Sequence, residues 1–376
     1  LHAFTPAQGG SGGGFTMDRF LHQFSFIPIK GWVVLFFVLI LFSSCGGCSF
    51  HWEEQDDTTT YTFLSYNVHN LFDDTDEGNE YSEYSVEKGN WSRTEYLKKL
   101  ENLGRVIRES STGGADFLAF YEIENQRVLK DLIDLYLQRM GYKNYTAITL
   151  PNAPLGLGFI TRLPVRSCKT HQPLSRGFPQ RPIVEVEVDC GGNPLVVFLC
   201  HFKSKTEGAE ATEGNRLASA ELIRKRIQTL LEEVPSREVL VLGDLNENID
   251  EYDRVEGRYP TALVPLEAAT GETLTLIVSN DPAGATSEGD VLYSPWFAEG
   301  MEIGSYWYRG NWETIDHVLL SVNLLRPPNL VYARFQVVSL PYLLNTAGQP
   351  NTAYSDHLPL WVELRGAQNG GPRGLF

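Results

Sequence analysis

The eight residues from Val239 to Asn246 (VLVLGDLN) constrain the chain more than any other stretch. Four apolar residues in succession read as a strand buried on both faces. Gly243 then lets the backbone turn sharply and leaves room for a close neighbour. Asp244 and Asn246 follow, and in an extended segment residues two apart face the same side. A carboxylate and an amide therefore leave the end of a rigid strand together, which suits holding a water beside an anionic oxygen. An ordinary Gly-Asp turn carries the same residue types; recurrence of the pattern along the chain favours the chemical reading.

The pattern recurs at several strand ends. Thr62 to Tyr66 reads as a strand ending at Asn67, and Asp116 to Tyr121 as a buried strand ending at Glu122, with Glu124 the acid expected in water. A buried Glu122 needs a partner, which a metal ion would supply. Leu195 to Cys200 hands over to His201, with Lys203 on the same side if the chain stays extended. Asp316 shares a strand face with Val318 and Leu320, while His317 points the other way. Asp356 and His357 precede a last strand, Leu360 to Leu364, and a histidine oriented by a carboxylate is an acid–base arrangement. Further strands are expected at 144–149, 157–161 and 183–188. Ser92 and Glu95 form a capping box opening a helix over 93–109. Asn125 caps a second helix that Gly141 stops, and 216–233 is a third. Residues 73–91 and 247–310 read as loops, the latter shaping a cleft. Strands alternating with helices place the chain in the α/β class.

A site gathered from these strand ends is rich in oxygen ligands, with imidazoles and amides beside them. Neither a G-x-S-x-G elbow, a Walker loop nor a G-x-G-x-x-G fingerprint is present, and Cys200 lies inside a strand pattern. Oxygen ligation favours Mg²⁺ or Mn²⁺ over zinc. Metal-assisted hydrolysis of a phosphate ester fits this set. The net charge of −16 counts against a wide basic nucleic-acid face, but a dication reverses the local field where one phosphate is touched.

The N-terminal part reads as an export apparatus. Residues 1–44 are leader and signal, with Met17 the expected start and an apolar run over 32–42, too short to span a bilayer but suited to a secretory signal. Leu41 to Cys45 (LFSSC) resembles a bacterial lipobox, making Cys45 the expected lipidation site, and 45–60 an acidic tether. The folded domain is expected over 61–366 and a flexible tail over 367–376. The protein is thus expected to be exported, as a membrane-anchored lipoprotein of the bacterial envelope or in secreted form. Cys48, Cys168, Cys190 and Cys200 allow three disulfide pairings, and spacing does not choose among them.

Six segments in order (Tyr66-Asn67-Val68, Phe120-Tyr121-Glu122, His201-Phe202-Lys203, Gly243-Asp244-Leu245-Asn246, Ile315-Asp316-His317 and Ser355-Asp356-His357) resemble the endonuclease/exonuclease/phosphatase superfamily. Asn67 to Asp73 and the segment Gly304 to His317 resemble its bacterial extracellular or lipoprotein endonuclease branch. The resemblance implies a four-layer α/β/β/α sandwich, two mixed sheets face to face with outer helices. It implies Glu122 as main metal ligand with Asn67 and Asp356 close by, and Mg²⁺ or Mn²⁺ as the ion. Asp244 would align or deprotonate the attacking water, and Asn246 would bind the scissile phosphate. His357, oriented by Asp316, would stabilise charge on phosphorus, and His201 would assist the leaving oxygen. The implied activity is cleavage of nucleic acid, DNA or also RNA, by a monomer. The alternatives are a sphingomyelinase-like phospholipid phosphodiesterase using an aromatic hairpin drawn from Tyr293, Trp296, Phe297, Tyr306, Trp307 and Tyr308, a small phosphate-ester phosphatase, and a non-catalytic surface protein.

Overall fold

The strand patterns fold as β1 (Thr59–Leu71), β2 (Phe117–Ile123), β3 (Asn144–Ile148), β4 (Gly156–Thr161), β5 (Val165–His171), β6 (Leu174–Ser175), β7 (Phe178–Pro179), β8 (Ile183–Cys190) and β9 (Asn193–His201). The series continues with β10 (Glu238–Asp244), β11 (Leu263–Pro265), β12 (Leu276–Ser279), β13 (Leu292–Tyr293), β14 (Tyr306–Tyr308), β15 (Asn311–Glu313), β16 (Asp316–Ser321), β17 (Leu330–Val337) and β18 (Leu360–Gly366). The structure is a computed structural model, and it describes residues 59–282, 289–297 and 301–366. The leader, the lipobox with Cys45 and Cys48, most of the acidic tether and the tail lie outside these residues.

One sheet has six strands in the order β17-β18-β1-β2-β4-β3, the other eight in the order β11-β12-β13-β16-β10-β9-β8-β5. Both are mixed: β1 pairs parallel with β2 and antiparallel with β18, and β10 parallel with β9 and antiparallel with β16. The inner faces meet in one apolar core that includes Phe63, Phe117, Phe159, Val186, Val197, Leu240, Leu242, Val318 and Val362. Outside the first sheet, helices Arg93–Ser110 and Gln126–Tyr136 cover Leu64, Leu118 and Phe120; outside the second, helix Ala209–Glu233 covers Phe198, Val239 and Val241. The layers are therefore α/β/β/α, as expected. Strands buried on both faces explain the unbroken apolar runs at 195–200 and 239–242.

The caps form as expected: Ser92 Oγ accepts the Thr94 N–H at 3.1 Å, and Asn125 Oδ1 those of Arg127 and Val128 at 2.9 and 3.3 Å. The second helix ends at Tyr136, however, ahead of Gly141, whose left-handed φ of 77° belongs to the following turn. The third starts at Ala209, seven residues before the expected Arg216. The expected loop over 247–310 carries β11, β12 and β13, which extend the eight-stranded sheet. They span only two to four residues each, too short for a period to show. Of the candidate aromatics, Tyr293 and Trp296 are buried; Tyr306 to Tyr308 do form a hairpin with β15, in which Tyr308 is exposed.

Glu238, buried at the start of β10, accepts the Leu330 N–H at 2.8 Å. Burial raises its carboxyl to about 7, against a smaller opposing effect of that N–H. A carboxyl raised on folding favours the fold below its unfolded value and loses that contribution as pH rises through about 7. Glu238→Gln keeps the acceptor and removes the charge. It is expected to be more stable than the parent at pH 8.5 by about 2 kcal/mol, with the advantage gone by about pH 4.5. Urea unfolding at the two pH values checks this; an equal difference at both contradicts it.

Candidate active site

The site lies toward the ends of β1, β2, β9 and β10 and at the start of β16, and bulges aim its side chains. The pairing of β1 with β2 shifts register between Asn67 and Leu71, and that of β2 with β4 between Tyr121 and Ile123. Glu122 stands at the second shift with a left-handed φ of 64°, and His69, Asn70 and Asn246 have φ of 52°, 59° and 52°. Such backbone in residues with a Cβ costs energy and clusters at functional sites. The turned-out Glu122 carboxylate is held on both oxygens: Asn67 Nδ2 donates to Oε1 at 3.1 Å and the Asn70 N–H to Oε2 at 3.1 Å. A position just past the strand does not put the neighbouring acid in water. Glu124, expected in water, is buried, accepts the Asp73 N–H at 2.7 Å, and is raised by burial to about 8.

Asn67 Nδ2 also donates to Asp244 Oδ2 at 3.0 Å, joining the two sheets at the site. Gly243 makes no turn; β10 continues through Asp244. Its requirement is a close approach, since a Cβ there would stand 2.3 Å from the Cys200 carbonyl oxygen. Asp244 and Asn246 are brought together by an Asx turn rather than by strand alternation, Asp244 Oδ1 accepting the Asn246 N–H at 3.0 Å. Asn246 Nδ2 donates to the Phe202 carbonyl at 3.2 Å.

Asp316 lies opposite Asp244 in the register of β16 with β10. Its Oδ2 is 2.7 Å from His357 Nδ1, leaving Nε2 of that ring 3.9 Å from Asp244 Oδ2 and 4.0 Å from Asp356 Oδ1. Burial alone would depress the His357 imidazole, but the adjoining Asp316 carboxylate, joined by Asp244 and Asp356, holds it well above its ordinary value. Asp244 is raised to about 7, by burial and then by Asp316, against the opposing pull of His357. His201 Nε2 is 3.6 Å from Asp244 Oδ2 and 3.8 Å from Glu122 Oε1. Burial, then the nearby charges of Arg181 and His357, press this imidazole well below its ordinary value, so it is neutral. No side chain hydrogen-bonds to it among the described residues; the Tyr121 ring meets it edge-on at 6.2 Å. His317 faces away and is fully buried, with Nε2 2.8 Å from the Glu247 carbonyl.

The structure thus brings Asn67, Glu122, His201, Asp244, Asn246, Asp316, Asp356 and His357 together. Three further residues serve the site: Ser355, quoted only within its motif, Tyr306, expected only in an aromatic hairpin, and Arg181. Ser355 donates to the Asn67 carbonyl at 2.7 Å and accepts the His357 N–H at 3.1 Å, fixing the last loop to the first strand. Its place in the Ser-Asp-His triplet was the available signal. The Tyr306 ring covers His357 at 4.7 Å, and Arg181 donates to the Phe202 carbonyl at 2.7 Å, beside His201; nothing in sequence spacing marks Arg181.

The oxygen set fits a hard dication. The carboxylates of Glu122 and Asp244 share the Asn67 amide, and no lysine or arginine is bonded to Glu122, Asp244 or Asp356 among the described residues. Asp356 Oδ1 is buried without a hydrogen-bond partner, its neighbours being His69 Nδ1 at 3.7 Å and the His357 ring. Such an orphaned oxygen calls for an ion or a water. Ligand atoms of Asp244, Asp316 and His357 also lie within 4.8 Å of one another, but the last two are joined to each other.

Over residues 62–258 the chain matches the Endonuclease/Exonuclease/phosphatase family. Among solved structures it is similar to ANGEL2, described as a 2′,3′-cyclic phosphatase, at 13% identity and a TM-score of 0.51, covering 82% of this chain and 96% of that one. It is similar to D. rerio TDP2 humanized by 14 mutations, at 12% identity and a TM-score of 0.50, covering 81% and 98%. An endonuclease/exonuclease/phosphatase family protein from Bacteroides thetaiotaomicron aligns at 17% identity and a TM-score of 0.49, covering 82% and 98%. At these identities the first two likenesses speak to the fold alone. No curated protein matches the chain in sequence.

Proposed function

The chain belongs to the endonuclease/exonuclease/phosphatase family, and from that footing we propose that it is a divalent-metal-dependent phosphodiesterase acting on nucleic acid. The observation that carries this reading is the buried, unpartnered Asp356 oxygen beside a His357–Asp316 pair, with the Glu122 and Asp244 carboxylates sharing the Asn67 amide. Glu122, with Asn67 and Asp356, would hold Mg²⁺ or Mn²⁺, which when bound neutralises charge on the phosphoryl oxygens. Asp244, raised to about 7, aligns a water and takes its proton near neutral pH. The Asn246 amide and the protonated His357 Nε2 address the phosphoryl oxygens, where charge builds up. Neutral His201 lies against the leaving oxygen. The net charge of −16 favours a second reading, in which the ester is a small molecule rather than a long polyanion.

The test uses the purified full-length chain with supercoiled plasmid, single-stranded DNA and small phosphate esters, in Mg²⁺ and then EDTA. Metal-dependent cleavage of DNA is expected, with Glu122→Gln weakening Mg²⁺ affinity by about ten-fold or more by calorimetry. Cleavage of small esters alone would select the second reading, and turnover unaffected by EDTA would remove the metal from both.

A further inference from the structure

Beside Asp356 the surface is hollowed into a cavity of about 290 Å³, whose lining includes Trp307, Asn345, Gln349, Asn351 and Thr352 as well as Asp356. The site residues already described do not otherwise enter it. Its walls are fixed from behind. Asn345 Oδ1 accepts the Ala347 and Gln349 N–H groups at 2.9 and 3.1 Å; Asn351 donates to the Tyr342 carbonyl at 2.9 Å and accepts the Ala353 N–H at 3.2 Å. Trp307 is held edge-to-face by Trp312 at 5.3 Å. The strand that carries Trp307 is registered on the catalytic loop, because its neighbour Tyr306 bridges to His357 through the backbone and packs on its ring. Gln349 Nε2, the Thr352 hydroxyl and Trp307 Nε1 have no partner among the described residues.

Asp356 is the only charged residue among the described residues lining the cavity, and no lysine or arginine among them offers a phosphate a counter-charge. The volume lies at the lower end for small-molecule sites and admits one ring, not a stacked pair. An indole face with free polar groups around it suits a flat ring whose edge carries donors and acceptors. We infer that this hollow is a subsite for one unpaired nucleobase, stacked on Trp307 with its edge toward Gln349 and Thr352, in the nucleotide whose phosphate ester is cleaved. This rests on the phosphodiesterase reading and adds to it that the substrate must present a base out of its helix.

Two chromogenic probes test it: thymidine 5′-p-nitrophenyl phosphate and methyl p-nitrophenyl phosphate, which share a leaving group and differ in carrying a base. The intact protein in Mg²⁺ or Mn²⁺ is expected to prefer the thymidine probe. Trp307→Ala should lower the ratio of the two kcat/KM values about ten-fold, mainly through KM, and Trp307→Phe should restore most of it. An unchanged ratio in Trp307→Ala overturns the assignment. If neither probe is cleaved, the phosphodiesterase reading has failed, and the subsite is judged separately by calorimetric binding of thymidine 5′-monophosphate. Binding weakened about ten-fold by Trp307→Ala sustains the subsite, and no binding to the parent protein overturns it.

Discussion

Asp244→Asn is expected to lower turnover by about 10³–10⁴-fold, the loss typical of a general base, while the protein unfolds no more readily than the parent. Asp244 Oδ2 accepts the Asn67 amide at 3.0 Å and Oδ1 the Asn246 N–H at 3.0 Å. An asparagine can keep one of these bonds, but its own NH₂ then opposes a donor, and it cannot take a proton from water. The stability expectation has the opposite sign for a physical reason. Burial and the facing Asp316 raise Asp244 to about 7, so above that pH its charge opposes folding, and the neutral amide removes the opposition. Steady-state kinetics beside thermal unfolding at pH 8 separate the effects. A variant that turns over at the parental rate would remove Asp244 from the chemistry, and one that fails to fold would show that its contacts matter more than its charge.

Arg216→Met is expected to cost about 3–5 kcal/mol of stability, the usual penalty for leaving a buried charge unpaired. Arg216 is fully buried on helix Ala209–Glu233. Its Nε lies 3.2 Å from both Glu213 Oε2 and Glu247 Oε1, and its other nitrogens bond the carbonyls of Lys203 and Ala209 and the Thr212 hydroxyl. Glu247 in turn accepts the Ala262 and Leu263 N–H groups at 2.9 and 3.2 Å. One planar guanidinium therefore ties the segment after His201 to the segment after Asn246. Arg216→Lys should recover little, since an ammonium offers fewer donors and no fork. Urea unfolding of both variants checks this; a loss below about 1 kcal/mol, the range of exposed pairs, contradicts it.

What was legible in the sequence follows from burial. The central strands β2, β9 and β10 lie between two cores, so their residues are apolar throughout and the first polar residue marks the site. Edge strands lack that contrast. Leu330–Val337 and Val165–His171 are mostly half-buried or exposed, and neither was anticipated. Glu124 shows a second limit: a residue past a strand end reads as solvated, and only the distant Asp73 segment that closes over it reveals the burial. The ordered motifs around Glu122, His201, Asp244 and His357 located the site because each lies near a strand end, whereas the strand expected to end at Asn67 runs on to Leu71. Arg181 and Tyr306 reach it from a loop and a hairpin remote in sequence, where nothing local records the contact.

The first and last strands are partners: β1 pairs with β18 over Thr59↔Gly366 through Ser65↔Leu360, at the centre of the six-stranded sheet. A nascent chain can build most of the eight-stranded sheet and pair β1 with β2 before β18 exists, but the other edge of β1 waits for β18. Asn67 and His357 then meet only once that final pairing closes, and the Ser355–Asn67 bond across 288 positions locks it. Contacts so distant along the chain form late and slowly. The site is therefore complete only when residues 288 positions apart, Asn67 and Ser355 with His357, have been brought together.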